Sequence, residues 1–346
     1  MYIAIRLDLY EAIGWGHFMR SLTVAKELIE RNHSVKFIFG QLQLTPFVKK
    51  ALSKFEYVEL NEEQELSYWE LTGSTFDIVI YDVAHHDNRN NPHHMINTLN
   101  ILKKNRVKSL FFDGAGEEMI SSYQNIPTTM VVVPYACSKT NCKSENSLIG
   151  PEYFILDKQI KKFKFDKVKE KKILFTFGGS DPTNISYLGL KLIKSIIENN
   201  NMSDYQFIMV CGPGYNEDNR DKLLGFTHPR YKVMDGPSSL GEAISSSQLV
   251  ITATGLTKYE VAYLGVPAIH ISSSKELADI NKHFVKTGAA LDLGLQCDVE
   301  IDDLVKAITT LLFDENSRNK MILNAMNLVD GDGLNRIVNE IELLHI

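Results

Sequence analysis

YIAIRLDLYEAIGWGHFMRSLTVAKELI, residues 2–29, joins a short apolar run to a helical pattern through a turn containing Gly14 and Gly16. Residues 2–7 read as a strand, and Phe18, Leu22, Ala25 and Ile29 then recur at the spacing of one helix face. The alternation continues through strands expected at 35–39, 76–81 and 107–112, the last two followed by Asp82 and Asp113. Strands alternating with amphipathic helices specify parallel βαβ units. Such a sheet displays its ligand-binding loops beyond the carboxyl ends of the strands, where both aspartates stand.

The pattern lapses at residues 157–172, DKQIKKFKFDKVKEKK, which carry eight lysines and few apolar side chains. A solvated hinge is the plain reading; a stripe that gathers anionic substrate is the sharper one. It then restarts with a strand at 173–177, a turn at Gly178 and Gly179, a helix bearing Leu188, Leu192, Ile193 and Ile196, and a strand at 207–211. Further strands are expected at 231–234, 249–252 and 268–271, with nearly continuous helix from Asp302 onward. The expected division is therefore a Rossmann-like domain over 1–156, a linker over 157–172, a second Rossmann-like domain over 173–332, and a C-terminal helix over 333–346 that packs back on the first domain.

Composition agrees with this reading. The chain has 346 residues, 44% hydrophobic and 23% charged, which is ample for two cores and excludes disordered, collagen-like and coiled-coil classes. No apolar run approaches the roughly 18 residues of a membrane span, and the N-terminus lacks the marks of a signal peptide, so a cytoplasmic protein is expected. Cys137, Cys142, Cys211 and Cys297 are too few for a disulfide framework and are expected as plain thiols. A net charge of −6 offers no global field for nucleic acid, which makes a small molecule the expected ligand.

Three glycine-containing turns carry the candidate chemistry. In IGWGHFMR, residues 13–20, Gly14 and Gly16 permit a tight turn and His17 stands at the start of a helix, where it can exchange protons near neutral pH. Arg20, one turn on, can hold a phosphate or stabilise the helix; a turn with a capping histidine is the bland alternative. In FGGSDPTN, residues 177–184, Gly178 and Gly179 follow a strand, Ser180 or Asp181 can cap a helix, Pro182 suits its first turn, and Asn184 closes the motif. In TATGLTKYEVAYLGVPAIH, residues 252–270, the small-residue turn Thr254, Gly255, Leu256 and Thr257 can offer backbone N–H groups to a diphosphate. Glu260, one turn into the following helix, can accept hydrogen bonds from ribose hydroxyls or simply favour the helix start. A fourth cluster, His85, His86, Asp87, His93 and His94, contains zinc-type ligands but reads as a solvated rim loop.

Taken in order, IGWGHFMR, LIGPEYFIL (residues 148–156), FGGSDPTN and ATGLTKYEVAYLGVPAI resemble the UDP-sugar hydrolase of pseudaminic acid biosynthesis and the spore-coat polysaccharide biosynthesis proteins. These are similar in turn to the transferase that adds N-acetylglucosamine to lipid-linked peptidoglycan precursors. The resemblance spans residues 1–295. It implies a glycosyltransferase B-type fold, two Rossmann-like domains facing a cleft, with a UDP-sugar between them and neither NAD nor a required metal. It further implies that His17 is catalytic, activating water at the anomeric carbon as UDP leaves with inversion, that the Gly255–Thr257 region supports the diphosphate, and that Glu260 binds the ribose.

The chain departs from the family where the sugar is expected. Asp8, Leu9 and Tyr10 replace Asp-Ala-Ser, Glu276 and Leu277 replace an Asn-Gln pair, and the histidine-rich loop replaces Asp-x-Tyr after the strand ending at Asp82. The reading is a hydrolase that releases UDP from a deoxy-amino sugar for nonulosonic acid or surface polysaccharide synthesis. A glycosyltransferase, in which His17 deprotonates an acceptor hydroxyl, and a silent nucleotide-sugar binding protein are the alternatives. Neither nucleic acid nor stable membrane insertion is expected.

Overall fold

The computed structural model of the protein describes residues 1–10, 15–82, 92–112, 126–136, 146–164, 169–236 and 240–345. Gly14, His85, His86, Asp87, Asp113, Cys137 and Cys142 lie outside the described residues. The chain forms two compact units, residues 1–155 with 332–346, and residues 156–331.

The first unit is a parallel sheet of seven strands among the described residues: β1 (Tyr2–Leu9), β2 (Ser34–Leu42), β3 (Glu56–Glu59), β4 (Ile78–Asp82), β5 (Lys108–Phe112), β6 (Met130–Val133) and β7 (Ser147–Ile149). Their order is β3-β2-β1-β4-β5-β6-β7, so the direction of winding reverses between β1 and β4. In register, Ile3 faces Ile78 and Leu7 faces Asp82. β1 reads as alternating, yet all of Ile3 to Leu9 is buried, because helices cover both faces of a central parallel strand. Its two charges are satisfied internally: Arg6 donates to Asp8 at 2.7 Å and to Glu65 at 2.8 Å. Asp8 Oδ1 also accepts from the backbone N–H of Gly40 and of Gln41, each at 2.9 Å.

The terminal helix Gly333–His345 belongs to this unit and buries Leu334, Ile337, Val338 and Ile341, one apolar face, in its core. Arg31 fastens it by donating to Asn339 at 2.7 Å and Glu342 at 3.0 Å.

The second unit holds six parallel strands among the described residues: β8 (Glu170–Thr176), β9 (Gln206–Cys211), β10 (Tyr231–Asp235), β11 (Ser247–Ala253), β12 (Ala268–Ser272) and β13 (Leu291–Leu295). The order β10-β9-β8-β11-β12-β13 reverses between β8 and β11. Ile173, Phe175, Ile251 and Ile269 pack with Leu192 and Ile193 of the Ile185–Glu198 helix and with Leu304 and Ile308 of the Ile301–Phe313 helix. Gly189 lets the first of these helices approach closely, since a Cβ there would stand 3.1 to 3.2 Å from Phe177, Met209 and Phe175.

The lysine-rich stretch belongs to this second unit. Asp157 caps a short helix, Lys158–Lys161, by accepting from Gln159 N–H at 2.7 Å, and Ile160 is buried. Lys164 lies over the Tyr263 ring and Lys169 donates to the Ser245 carbonyl at 2.6 Å. The described part is tied down by Ile160, Lys164 and Lys169 while Lys158, Gln159 and Lys162 stay exposed, and β8 begins at Glu170, inside the stretch expected as linker.

Candidate functional site

In an open α/β sheet, ligands gather beyond the strand ends where the winding reverses. In the first unit that place is the end of β1 and β4. The chain leaves β1 and enters the Gly16–Glu30 helix, whose N-cap Trp15 makes no side-chain cap bond. Trp15 is buried instead, packing against Phe18 and Phe47. His17, in the first turn, places Nδ1 2.9 Å from Oδ1 of Asp82, the last residue of β4.

Asp82 is completely buried and surrounded by donors. Arg20 reaches both its oxygens, Nε lying 3.0 Å from Oδ2, and Ser21 donates to Oδ2 at 2.7 Å. Burial pushes the Asp82 carboxyl up, but Arg20 and then His17 outweigh it and hold it well below the usual carboxylate range. An ionised carboxylate only accepts, so His17 Nδ1 carries a proton, and in the neutral ring the free lone pair is then on Nε2. The neighbouring Arg20 nitrogen, 3.1 Å from Nδ1, is also a donor and is satisfied by Asp82. With 18% of its side chain exposed, His17 is open to a reactant while its partner is not.

This geometry goes against a capping histidine, since the His17 ring turns to Asp82. It also changes the part expected of Arg20. The guanidinium is buried, bound to Asp82 and to the Tyr135 hydroxyl, with its carbon 4.8 Å from the centre of the Phe112 ring. Desolvated and paired, it supports Asp82 in place of holding a phosphate.

In the second unit the reversal lies between β8 and β11, and the two remaining motifs follow those strands. After β8, Gly178 adopts φ +90°. Its loop is tied to the next one by Gly214 N–H donating to the Gly179 carbonyl at 2.8 Å. Gly212 is required there, because a Cβ would collide with the carbonyl oxygens of Gly178 and Gly179. Asp181 caps the following helix, accepting from the N–H of Ile185 and Ser186 at 2.8 Å each, while Ser180 is buried beside it. Pro182 stands ahead of the helix, which begins at Ile185 after Asn184 in the left-handed region at φ +60°.

After β11, Thr254 is buried and its hydroxyl has no partner among the described residues, whereas Gly255 is exposed. Leu256 and Thr257 open the Thr257–Tyr263 helix without a side-chain cap. Glu260 keeps partial exposure, and among the described residues no donor bonds its carboxylate. Burial, then the charge of Asp157, pushes it up to about 7. A desolvated carboxylate without donors gains most from hydroxyl groups brought by a ligand.

His94, expected in a solvated loop, lies in the Pro92–Lys104 helix with Nε2 3.1 Å from Glu65, while His93 is exposed. Among the described residues no group of three or more His, Cys, Asp or Glu side chains is arranged to hold a metal. No helix among them is long and apolar enough to cross a membrane. Asp82 is legible in the sequence only as a strand end. Lys258, His270 and Asn281, which share one buried hydrogen-bond acceptor, carry no signal beyond the place of the first two in the third motif.

Together the two units define the glycosyltransferase B-type fold. Residues 173–338 match the glycosyltransferase family 28 C-terminal domain. The chain is 28% identical over 193 residues to the spore coat polysaccharide biosynthesis protein SpsG of Bacillus subtilis, covering 54% of this chain and 56% of that protein. Indeed it spans about half the length of the curated relatives it matches first. Among solved structures it resembles MurG of Acinetobacter baumannii, with TM-score 0.66, 14% identity and 99% of each chain covered. It also resembles the UDP-GlcNAc 2-epimerase of Neisseria meningitidis bound to UDP-GlcNAc, with TM-score 0.63, 15% identity and 99% of each chain covered.

Proposed function

We propose that the protein is an enzyme of the family 28 type that displaces UDP from a UDP-sugar, with His17 as the base. The observation that carries this reading is the His17–Asp82 pair at the reversal point of the first sheet, which leaves Nε2 able to take a proton. A hydroxyl oxygen attacks the anomeric carbon, its proton passes to Nε2, and the bond to the diphosphate breaks with its electrons leaving on UDP. Asp82 stabilises the imidazolium that forms, as a buried carboxylate does in other His–Asp arrangements. One displacement inverts the anomeric centre.

The nucleotide is assigned to the second unit. Thr254, Gly255, Leu256 and Thr257 offer the diphosphate an uncapped helix start, Glu260 takes the ribose hydroxyls, and the Gly178–Gly179 loop flanks them across the reversal between β8 and β11. Support comes from the family 28 match over the same residues and from UDP-GlcNAc bound in the related epimerase. The family match and the MurG-like fold favour transfer to an acceptor hydroxyl. Hydrolysis of a deoxy-amino sugar nucleotide for nonulosonic acid or surface polysaccharide synthesis is the second reading, favoured by the order of the four motifs.

One assay separates them. Purified protein is incubated with a panel of UDP-sugars, with and without saccharide acceptors, and UDP release is followed. Release that needs an acceptor supports transfer; fast release in water alone supports hydrolysis. UDP release undiminished in His17→Ala overturns the assignment of the base under either reading.

A further inference from the structure

The Thr257–Tyr263 helix is anchored by a buried polar group distinct from the residues assigned to the ligand. Lys258 is buried, and its Nζ donates to Asn281 Oδ1 at 3.2 Å. His270, on β12, places Nδ1 3.2 Å from the same oxygen. A carbonyl oxygen only accepts, so His270 carries its proton on Nδ1. Asn281 belongs to the Lys275–Val285 helix, and its one carbonyl therefore joins two helices and a strand. The rings of Tyr259 and Phe284 close around the amine, with centroids 5.4 and 5.2 Å from Nζ.

As a piece of core the group is costly. Burial drives the Lys258 amine down to about 7, opposed only by the charge of Asp292, and burial with Lys258 drives His270 down to about 3. Asn281 Nδ2, His270 Nε2 and the hydroxyls of Thr254 and Ser272 have no protein partner among the described residues. An apolar trio of the same volume would fold at lower cost, so the polar set is better explained by the geometry it imposes than by stability. Lys258 follows directly on the 254–257 turn, and the helix that carries Asn281 has Glu276 and Leu277 in its first turn. Both helices rise from neighbouring strands, β11 and β12.

We propose that Lys258, His270 and Asn281 form a buried clamp, with Asn281 as its hub, that positions the 254–257 turn to receive a nucleoside diphosphate. The clamp rests on the assignment of that turn to the diphosphate. Its members are positioning residues, acting through the path of the backbone.

The test is a calorimetric titration of the full chain with UDP, with the melting temperature of each variant recorded. Asn281→Leu removes the shared acceptor at similar volume and is expected to weaken UDP binding about tenfold or more, since misplacement by an ångström is enough for such losses. Lys258→Met, which replaces a buried amine by an apolar chain of similar length, is expected to act in the same direction. The double variant is expected to bind no worse than the weaker single one, because both changes delete one interaction. Asn281→Asp keeps the acceptor and is expected to restore UDP affinity to within about threefold of the parent. Equal UDP affinity in the parent, Asn281→Leu and Lys258→Met overturns the clamp alone, as does strict additivity in the double variant. A parent that does not bind UDP overturns the nucleotide assignment and the clamp with it.

Discussion

Each unit holds a buried polar cluster, and the two are built on opposite principles. In the first unit the Asp82 carboxylate stands between His17 and Arg20 and is held ionised by these partners. His17 keeps part of its side chain exposed, whereas Asp82 has none. In the second unit Lys258 and His270 share a neutral amide, no carboxylate among the described residues bonds either, and both are driven toward their uncharged forms by burial. A paired cluster with a part-exposed histidine can pass a proton to a reactant; a closed one can only hold backbone in place. Burial alone therefore does not mark a reactive site; a buried, ionised partner behind a part-exposed histidine is the distinguishing feature.

The largest departure from this contrast is expected at His17. His17→Ala is expected to lower UDP release by about 10²–10⁴-fold while UDP affinity, which the proposal assigns to the second unit, stays within a few-fold. A parallel loss of UDP affinity in calorimetry would show that His17 binds the nucleotide instead. Asp82→Asn comes next. It frees the tautomer of His17 and is expected to slow turnover by about 10²-fold or more. It also leaves the Arg20 guanidinium buried without its charge partner, a loss on the order of 3–5 kcal/mol, visible in urea unfolding. Turnover equal to the parent in a folded Asp82→Asn variant would sink the orienting role.

Glu260 tests the same contrast from the other unit. Glu260→Gln is expected to weaken UDP binding about tenfold, as loss of a charge-assisted hydrogen bond does, with less effect on turnover of bound substrate. Under the proposed assignment the ribose hydroxyls need the ionised carboxylate, and burial, then Asp157, pushes that group up to about 7. Binding below that pH therefore releases a proton: parent affinity is full above about pH 7 and falls as the pH drops beneath it. Affinity in Glu260→Gln is expected to be flat across that range, and a parental profile in the variant would remove Glu260 from the site.

The smallest effect concerns stability alone. Burial pushes the Glu65 carboxyl up, but Arg6, His94 and Trp69 together lower it from 4.5 to about 2. A carboxylate depressed in the folded state stabilises it fully above its unfolded pKa, and that share is lost as the pH falls through the folded value. The stability advantage of the parent over Glu65→Gln is thus expected to shrink as pH drops from about 4.5 toward 2. Denaturant midpoints of both proteins across that window measure it; a constant difference would show that Glu65 acts through packing.

Much of the architecture is legible in the sequence. The central strands and their helices announce themselves through apolar runs and helical spacing, as in residues 2–29. Three strands are not legible: Glu56–Glu59 is an edge strand of largely exposed residues, Ser147–Ile149 is only three residues long, and Leu291–Leu295 is broken by Gly294. None buries a continuous face, so none carries a hydrophobic period. The candidate site is legible in parts. His17 and Glu260 stand out by their place after glycine turns, while Arg20 looks available for phosphate because its burial cannot be read from its neighbours in sequence.

The alternation of strands and helices, the glycine turns and the positions of His17 and Glu260 after them follow from the amino-acid sequence alone, because backbone freedom and apolar spacing are local properties. The partners of those residues do not. Asp82 is 65 positions from His17 and Asn281 is 23 from Lys258. Parallel crossovers bring each pair together at the strand ends, and only the desolvation and charge found there decide which nitrogen keeps its proton.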